Sequence, residues 1–262
     1  VQIWVEKGTY YPDEKYGEDS GERSSSFIIP SGVKVYGGFN GTETDTIQRV
    51  NYGVGEDNET ILSGDIDKDG TQTDNAYHVV TLVDASEETV LDGFTITGGQ
   101  ADGPYDFIIN YRYGGGIFIK NGSPRITNCT ISGNSTIGGS NYKGGGIYNE
   151  DGTPQITNCT ISGNSAIGYN SEGGGMYNSN AGAGAVKLTN CTITDNSADR
   201  GGGIYNVDGS PNITNCTITG NSASSDGGGI YNNDGTPQIT NCTISSNSAS
   251  DDGGGIYNVD GN

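Results

Sequence analysis

Six triple glycines, beginning at Gly114, Gly144, Gly173, Gly201, Gly227 and Gly253, divide the second half of the chain into near-copies of one unit. From the first glycine to the next cysteine is 15 residues in every complete copy but the third, where it is 18. From cysteine to the next triple glycine the count varies: 15, 14, 10 and then 11. Each unit therefore has one fixed arm and one variable corner. The extra residues of the third copy fall at Ala181-Gly182-Ala183-Gly184, which reads as a flexible insertion. A unit of about 26–30 residues cannot bury a core by itself, so successive copies must stack.

The fixed arm sets how they stack. In the copy that opens at Gly201, Ile204, Ile213, Cys216 and Ile218 are the core candidates. Cys216 and Ile218 alternate as a strand requires. Ile213 and Cys216 are three apart, so one residue between them breaks the alternation. Asn215 suits that bend because asparagine tolerates the left-handed conformation. The Asp-Gly before each proline supplies another turn. No segment carries a helical pattern. The reading is three short strands per unit, a triangular coil, stacked about 4.8 Å apart with each coil hydrogen-bonded to the next. Equivalent residues then form columns: Ile117 to Ile256 through Met176, the five cysteines, and Ile131 to Ile244. The predicted fold is all-β, a right-handed single-stranded parallel β-helix (a β-solenoid) of roughly eight or nine coils. It forms one domain over residues 1–262, irregular through 113 and regular from 114.

The irregular part continues the same architecture. Leu91-Asp92-Gly93-Phe94-Thr95-Ile96 superimposes on the cysteine strand, with Gly93 at the bend and Phe94 in the cysteine slot. Further strands are expected at 3–5, 27–29, 33–36, 60–62 and 78–83. Asn128, Asn158, Asn190, Asn215 and Asn241 are expected to form an inward asparagine ladder. Their Asn-Cys-Thr triplets match the glycosylation sequon, but inward amides would be shielded, leaving Asn40, Asn58 and Asn121 as glycan candidates.

Charge and cysteine count narrow the function classes. A net charge of −20 repels phosphate backbones, so no nucleic-acid partner is expected. No run of 18 apolar residues exists, so no membrane insertion is expected. Five cysteines, one per copy, do not make a paired disulfide framework and read as buried thiols. The chain opens inside an apparent strand and stops within a repeat, as expected of a mature or trimmed segment of a longer exported precursor.

The Gly-Gly-Gly-Ile-Tyr-Asn and Ile-Ser-Gly-Asn-Ser-Ala elements resemble those of right-handed β-helices of the pectate-lyase-like superfamily. They are closest to the polymorphic outer-membrane-protein repeats, which pair Gly-Gly-x-Ile with Phe-x-x-Asn; here Ile161 replaces the Phe. Ile3-Trp4-Val5, Val35-Tyr36-Gly37-Gly38-Phe39 and Leu62-Ser63-Gly64-Asp65 are similar to the entry region of such proteins. The resemblance implies the fold and a surface or adhesin setting, and it also covers polysaccharide lyases. Lyases of this fold imply an acidic calcium cluster beside an Arg or Lys base. Neither the arginines (Arg23, Arg49, Arg112, Arg125 and Arg200) nor the lysines fall beside an Asp cluster in a repeated strand, and no catalytic residue is assigned.

Asp65-Ile66-Asp67-Lys68-Asp69-Gly70 matches the first half of a calcium-binding loop, with carboxylates at alternate positions and glycine sixth. Ala76 stands where the closing Glu would be, and Asp74 is the substitute ligand. A solvated acidic turn is the plainer alternative to Ca2+. For surface contacts, stacking aligns Phe118, Tyr148, Tyr177, Tyr205, Tyr231 and Tyr257 into an aromatic column. That column is either a self-stacking ladder or a stripe for glycans or another subunit. The long corner 101–113 carries Tyr105, Phe107, Tyr111 and Tyr113, joined by Tyr142 and Tyr169 on later coils, and is the preferred contact surface. Outward Thr-x-Ser/Thr pairs form a regular hydroxyl array, the default solvent face of a strand, although ice-binding β-helices resemble it.

Together these features predict a non-enzymatic extracellular structural protein of the cell surface, a sheath or a filament. It would assemble with itself head to tail or laterally, since unpaired strand edges template another chain. The alternatives are a carbohydrate-binding adhesin module and a polysaccharide lyase.

Overall fold

The computed structural model describes residues 1–15, 18–19, 21–106, 109–180 and 185–259. The insertion at 181–184 lies outside these. One coil of the regular half has four sides rather than three. Ile117–Lys120, Arg125–Thr127, Thr130–Ser132 and Ser135–Ser140 follow one another, and each strand pairs in parallel with its equivalent on the next coil. The first, second and third faces are eight-stranded sheets, and the fourth is six-stranded, beginning only at Gln100–Ala101. Eight coils at a strand spacing of about 4.8 Å give a stack of about 38 Å. A two-stranded hairpin (Glu14–Lys15 with Glu18–Asp19) and a 3-10 turn at Thr46–Gln48 sit outside the stack. Among the described residues no helix is long and apolar enough to cross a membrane.

The fourth side arises at a second bend that the triangular reading missed. Gly133, Gly163, Asp195, Gly220 and Ser246 occupy it with φ between 55° and 68°. At the first bend Asn128, Asn158, Asn190, Asn215 and Asn241 have φ of 51–55°, the conformation expected of them. There two successive residues, such as Thr127 and Asn128, face outward, which is why Ile126 and Cys129 are three apart. The expected ladder therefore exists but on the outside. Asn158 donates to Asn128 Oδ1 at 3.3 Å, and Asn190 and Asn215 continue it at 3.2 Å each. Asn158, Asn190, Asn215 and Asn241 are exposed, so burial does not shield these sequons. Asn58, by contrast, is buried and donates to Val50 O at 2.8 Å, which removes it as a glycan candidate. Asn40 and Asn121 are exposed.

The inward ladders are two other asparagine columns. Asn134, Asn164, Asn196, Asn221 and Asn247 follow the second bend, and each amide Nδ2 donates to the next Oδ1 at 2.9–3.1 Å. The same Oδ1 atoms accept a backbone N–H from the preceding coil, as Asn164 Oδ1 does from Asn134 N at 3.0 Å. Asn149, Asn178, Asn206, Asn232 and Asn258 run up the first face at 2.5–2.8 Å. A buried amide is tolerable only when its bonds are made, and stacking identical coils makes them.

Between these ladders lies one continuous apolar file. It runs from Ile29, Leu62 and Leu91 through Ile126, Ile156, Leu188 and Ile213, with Ile117, Ile147, Met176, Ile204 and Ile230 opposite. Cys129, Cys159, Cys191 and Cys216 are buried in it as expected; Cys242, on the last coil, is half-buried. Cys129 N donates to Cys159 Sγ at 3.4 Å, and each thiol reaches a carbonyl of the preceding coil, as Cys159 Sγ does Ile126 O at 3.5 Å. The neighbouring Cys129 thiol and then burial push Cys159 well above the usual thiol range. The triple glycine has two local causes. Gly114 has φ 68°, and a Cβ on Gly115 or Gly116 would sit 2.3 Å from Ser135 O or 2.6 Å from Gly146 O. The corner closes only because three residues in a row lack side chains.

The first two coils lack the fourth face, and a long loop over residues 40–59 leaves at the first bend between the second and third faces; arginines hold the irregular part together. Arg49 Nη2 pairs with Asp92 Oδ1 at 2.6 Å and Nη1 donates to Gly37 O at 2.8 Å. Asp92 in turn accepts from Thr127 Oγ1 and from Asn128 Nδ2 at 3.0 Å, capping the outer ladder. Gly93 takes the bend with φ 80°, and Phe94 is buried in the cysteine slot. His78 is buried between Tyr111 and Phe118 with Nδ1 3.0 Å from Gly114 O, and its pKa is lowered to about 4 by burial.

Candidate functional site

The aromatic column is a stack, not a displayed stripe. Phe118, Tyr148, Tyr177, Tyr205 and Tyr231 are all buried, with centroids 4.7–5.5 Å apart and planes within 19°. Tyr257 is half-buried and tilted by 46°. The expectation that Tyr148, Tyr177, Tyr205 and Tyr231 offer flat faces to a ligand is therefore corrected. The chain returns over their rings at the triple-glycine corner, where a Cβ on Gly114 would lie 3.0 Å from Tyr148 Cβ. The residues just before that corner form the roof. Tyr113, Lys143, Glu172 and Arg200 pair in sequence from coil to coil. Tyr113 stacks on Tyr148 at 4.8 Å, and Lys143 Nζ lies 4.5 Å from the Tyr177 centroid.

At the N-terminal end of this roof the long corner meets the stack and leaves a cleft of about 240 Å³. Tyr105, Tyr113, Tyr148 and Tyr177 line it, with Asp106, Asn110, Lys120, Lys143, Glu150 and Ser179. Of the expected contact residues, these four tyrosines come together. Tyr111 packs instead against Tyr77 and His78. Tyr142 is buried, where a Cβ on Gly138 would strike its ring, and so is not a surface contact. Tyr169 is 74% exposed but does not line the cleft. Phe107 lies outside the described residues.

The cleft's charged groups were not anticipated. Lys120 pairs with Glu150 at 3.2 Å, and Lys143 with Glu172 at 3.4 Å while donating to Tyr177 Oη at 2.9 Å. A signal for them exists in the sequence. Val83, Lys120, Glu150, Ser179, Val207, Asn233 and Val259 form one column beside the aromatic stack. The column has valine at both ends and turns charged only where the long corner passes. Burial, and next Glu150, hold the Tyr148 phenol above its usual range; burial and Glu172 do the same for Tyr177. Both stay protonated and able to donate.

The acidic loop forms a second site. One carboxylate oxygen each from Asp65, Asp67 and Asp69 lies within 4.8 Å of the others. Gly70 turns with φ 75°, and its N–H donates to Asp65 Oδ2 at 3.1 Å. Asp74 comes close enough that, after desolvation, its pKa is raised by Asp67. Desolvation, and then facing Asp67, raises Asp65, whereas the Thr71 amide lowers Asp69. Lys68, within the same loop, pairs with Glu14 at 2.7 Å and sits over the Tyr11 ring. Three converging carboxylates fit a hard cation, although calcium takes six to eight oxygens and the rest would be backbone carbonyls or water.

Comparison with known proteins bears on the fold. The family model described as "Right handed beta helix region" matches residues 83–262. No curated protein and no solved structure matched the chain. With eight parallel coils and a family match over most of its length, this chain belongs to the right-handed β-helix family.

Proposed function

We propose that the protein is a non-enzymatic, extracellular structural component of a cell surface, sheath or filament. Within its family it stands nearest the pectate-lyase-like branch with polymorphic outer-membrane-protein repeats. The observation that carries the reading is the steady register: the first three faces keep one residue-to-residue alignment from coil to coil through the regular half, and only the fourth shifts, between Ile137 and Ser140. The outermost strands, Gln2–Glu6 and Gln238–Thr240, each pair on one edge only. Such edges accept further coils, whether of the same chain or of another copy. Electron microscopy and light scattering at high protein and calcium concentration test assembly. Filaments or concentration-dependent growth support it, and a monodisperse monomer under all conditions overturns it.

Calcium at Asp65, Asp67, Asp69 and Asp74 is part of the proposal, because the first three carboxylates converge there and Asp74 lies near enough to feel Asp67. Calorimetric titration should show binding that Asp67→Ala abolishes, and no heat in the parent chain would remove calcium from the scheme.

A second reading, carbohydrate binding by a surface adhesin module, is favoured by the tyrosine-lined cleft at the long corner. A polysaccharide lyase is the third and least supported reading. Unsaturated-product absorbance with polygalacturonate would overturn the non-enzymatic assignment.

A further inference from the structure

We infer that the cleft between the long corner and the tyrosine stack binds one neutral hexopyranose ring through a pair of adjacent hydroxyls. This rests on the carbohydrate-binding reading above and names the sugar class and the atoms. At about 240 Å³ the cleft is below the range of drug-sized pockets, roughly 300 Å³ and up, and suits a single ring whose glycosidic neighbours lie outside. Tyr105 is half-exposed at its edge and Tyr113 is part-buried, giving aromatic surface for the apolar C–H face of a sugar.

The polar lining explains the preference for hydroxyls. Lys120 Nζ and Glu150 Oε2 are 3.2 Å apart. A donor and an acceptor at that separation match two neighbouring ring hydroxyls, one accepting from the ammonium and one donating to the carboxylate. Lys143, on the same wall, donates to Tyr177 Oη, and the Ser179 side chain is within hydrogen-bond reach of the same phenol, so a ligand oxygen would join a cluster of polar groups there. Ser179 and Asn110 complete a lining that both donates and accepts.

Charge argues against an acidic sugar. Glu150, Asp106 and the nearby Glu172 offset the two lysines, and the chain as a whole carries −20. A uronate carboxylate entering the cleft would meet like charge at the wall and in the surrounding field. The placement of the charges is also local. The column that supplies Lys120, Glu150 and Ser179 reverts to valine at Val83 and Val207, so core packing does not require polar groups there.

Saturation-transfer NMR with shift titration of the full chain tests this. The probes are methyl glucoside, methyl galactoside, methyl mannoside, one monodeoxy methyl glycoside and methyl galacturonide. At least one neutral glycoside should bind, with galacturonide at least tenfold weaker. Glu150→Gln and Tyr105→Ala should each weaken binding about tenfold, while Tyr169→Ala, exposed but away from the cleft, should leave it unchanged. Binding that survives both cleft variants would keep carbohydrate recognition but move it off this cleft, overturning the inference alone. Preference for galacturonide would overturn the neutral class. If none of these probes and no sugar on a glycan array binds, both the inference and the reading beneath it fail.

Discussion

The first two coils and the later regular ones solve the same packing problem with different materials. From residue 114 onward the inward positions repeat, so one good core contact recurs from coil to coil. Asparagines can sit inside because their neighbours above and below are asparagines too. Before residue 114 the core is built from Ile29, Leu62, Val80, Leu82, Leu91 and Phe94, which need no partner of their own kind. The first two coils lack the fourth face, and long side chains tie down the loops that leave the stack. Arg49 bonds Asp92 and Gly37, while Arg23 bonds Asn75 O at 2.7 Å, Gln100 O at 3.3 Å and the Asp102 carboxylate at 2.5 Å. The lesson is that repetition permits buried polarity and irregularity permits loops. The acidic loop falls in the irregular part, and the cleft falls at the seam between the two.

The sharpest way to break this contrast is to remove one inner ladder rung. Asn221→Leu deprives Asn196 of both bonds to Asn221 Oδ1, removes the amide that donates to Ile193 O, and leaves Asn247 Oδ1 with only the backbone N–H of residue 221. Several buried groups lose partners at once, so urea unfolding should show a loss of about 4 kcal/mol. A loss below 1 kcal/mol would mean the ladder is incidental.

A smaller effect belongs to the irregular side. Burial lowers the pKa of folded His78 from its ordinary 6.5 to about 4, so the unfolded chain binds the extra proton between those values. Its contribution is complete above pH 6.5 and shrinks as pH falls toward 4. At pH 5 it amounts to a loss of about 2 kcal/mol relative to pH 7. The difference in unfolding free energy between the parent and His78→Gln should therefore change by that amount from pH 7 to pH 5, and a constant difference would refute it.

The smallest effect separates inside from outside with the same residue type. Asn215 is exposed and left-handed, so Asn215→Ala should cost about 1 kcal/mol, mostly backbone strain. Asn215→Gly, which adopts that φ freely, should cost less than half as much. If alanine and glycine cost the same, the outer ladder rather than the bend sets the price.

The sequence made the coil legible because its period is written in glycine and cysteine. Cys129 to Cys216, the isoleucine columns, Gly93 at the bend and Phe94 in the cysteine slot all stand where spacing puts them. Orientation was harder. Asn128 and Asn134 both recur once per coil, and nothing in the period says which faces in. The answer comes from the second bend at Gly133, whose equivalents Asp195 and Ser246 differ in type and hide the column. Tyr148 reads as outward from alternation alone; only the path of the chain after the variable corner shows that it is roofed. Likewise, the acidic loop is contiguous and visible in sequence, whereas the cleft joins residues from three coils and is not.

The inner amide files also give the stack a direction. In the file from Asn134 through Asn221 each Nδ2 donates to the Oδ1 of the later coil and, with its second proton, to a carbonyl of the preceding one. Asn149 through Asn232 donate to the later asparagine, while the outer file from Asn158 to Asn215 donates back. Backbone contacts to Asn164 Oδ1 and Gly152 O fix that sense for the inner pair. The interior thus resembles parallel wires of aligned dipoles, each of which polarises the next. Anything that joins must arrive with the same polarity, because two stacks meeting face to face would oppose amino group to amino group, or oxygen to oxygen. A vectorial rod of this kind can tell its two ends apart without any dedicated recognition surface.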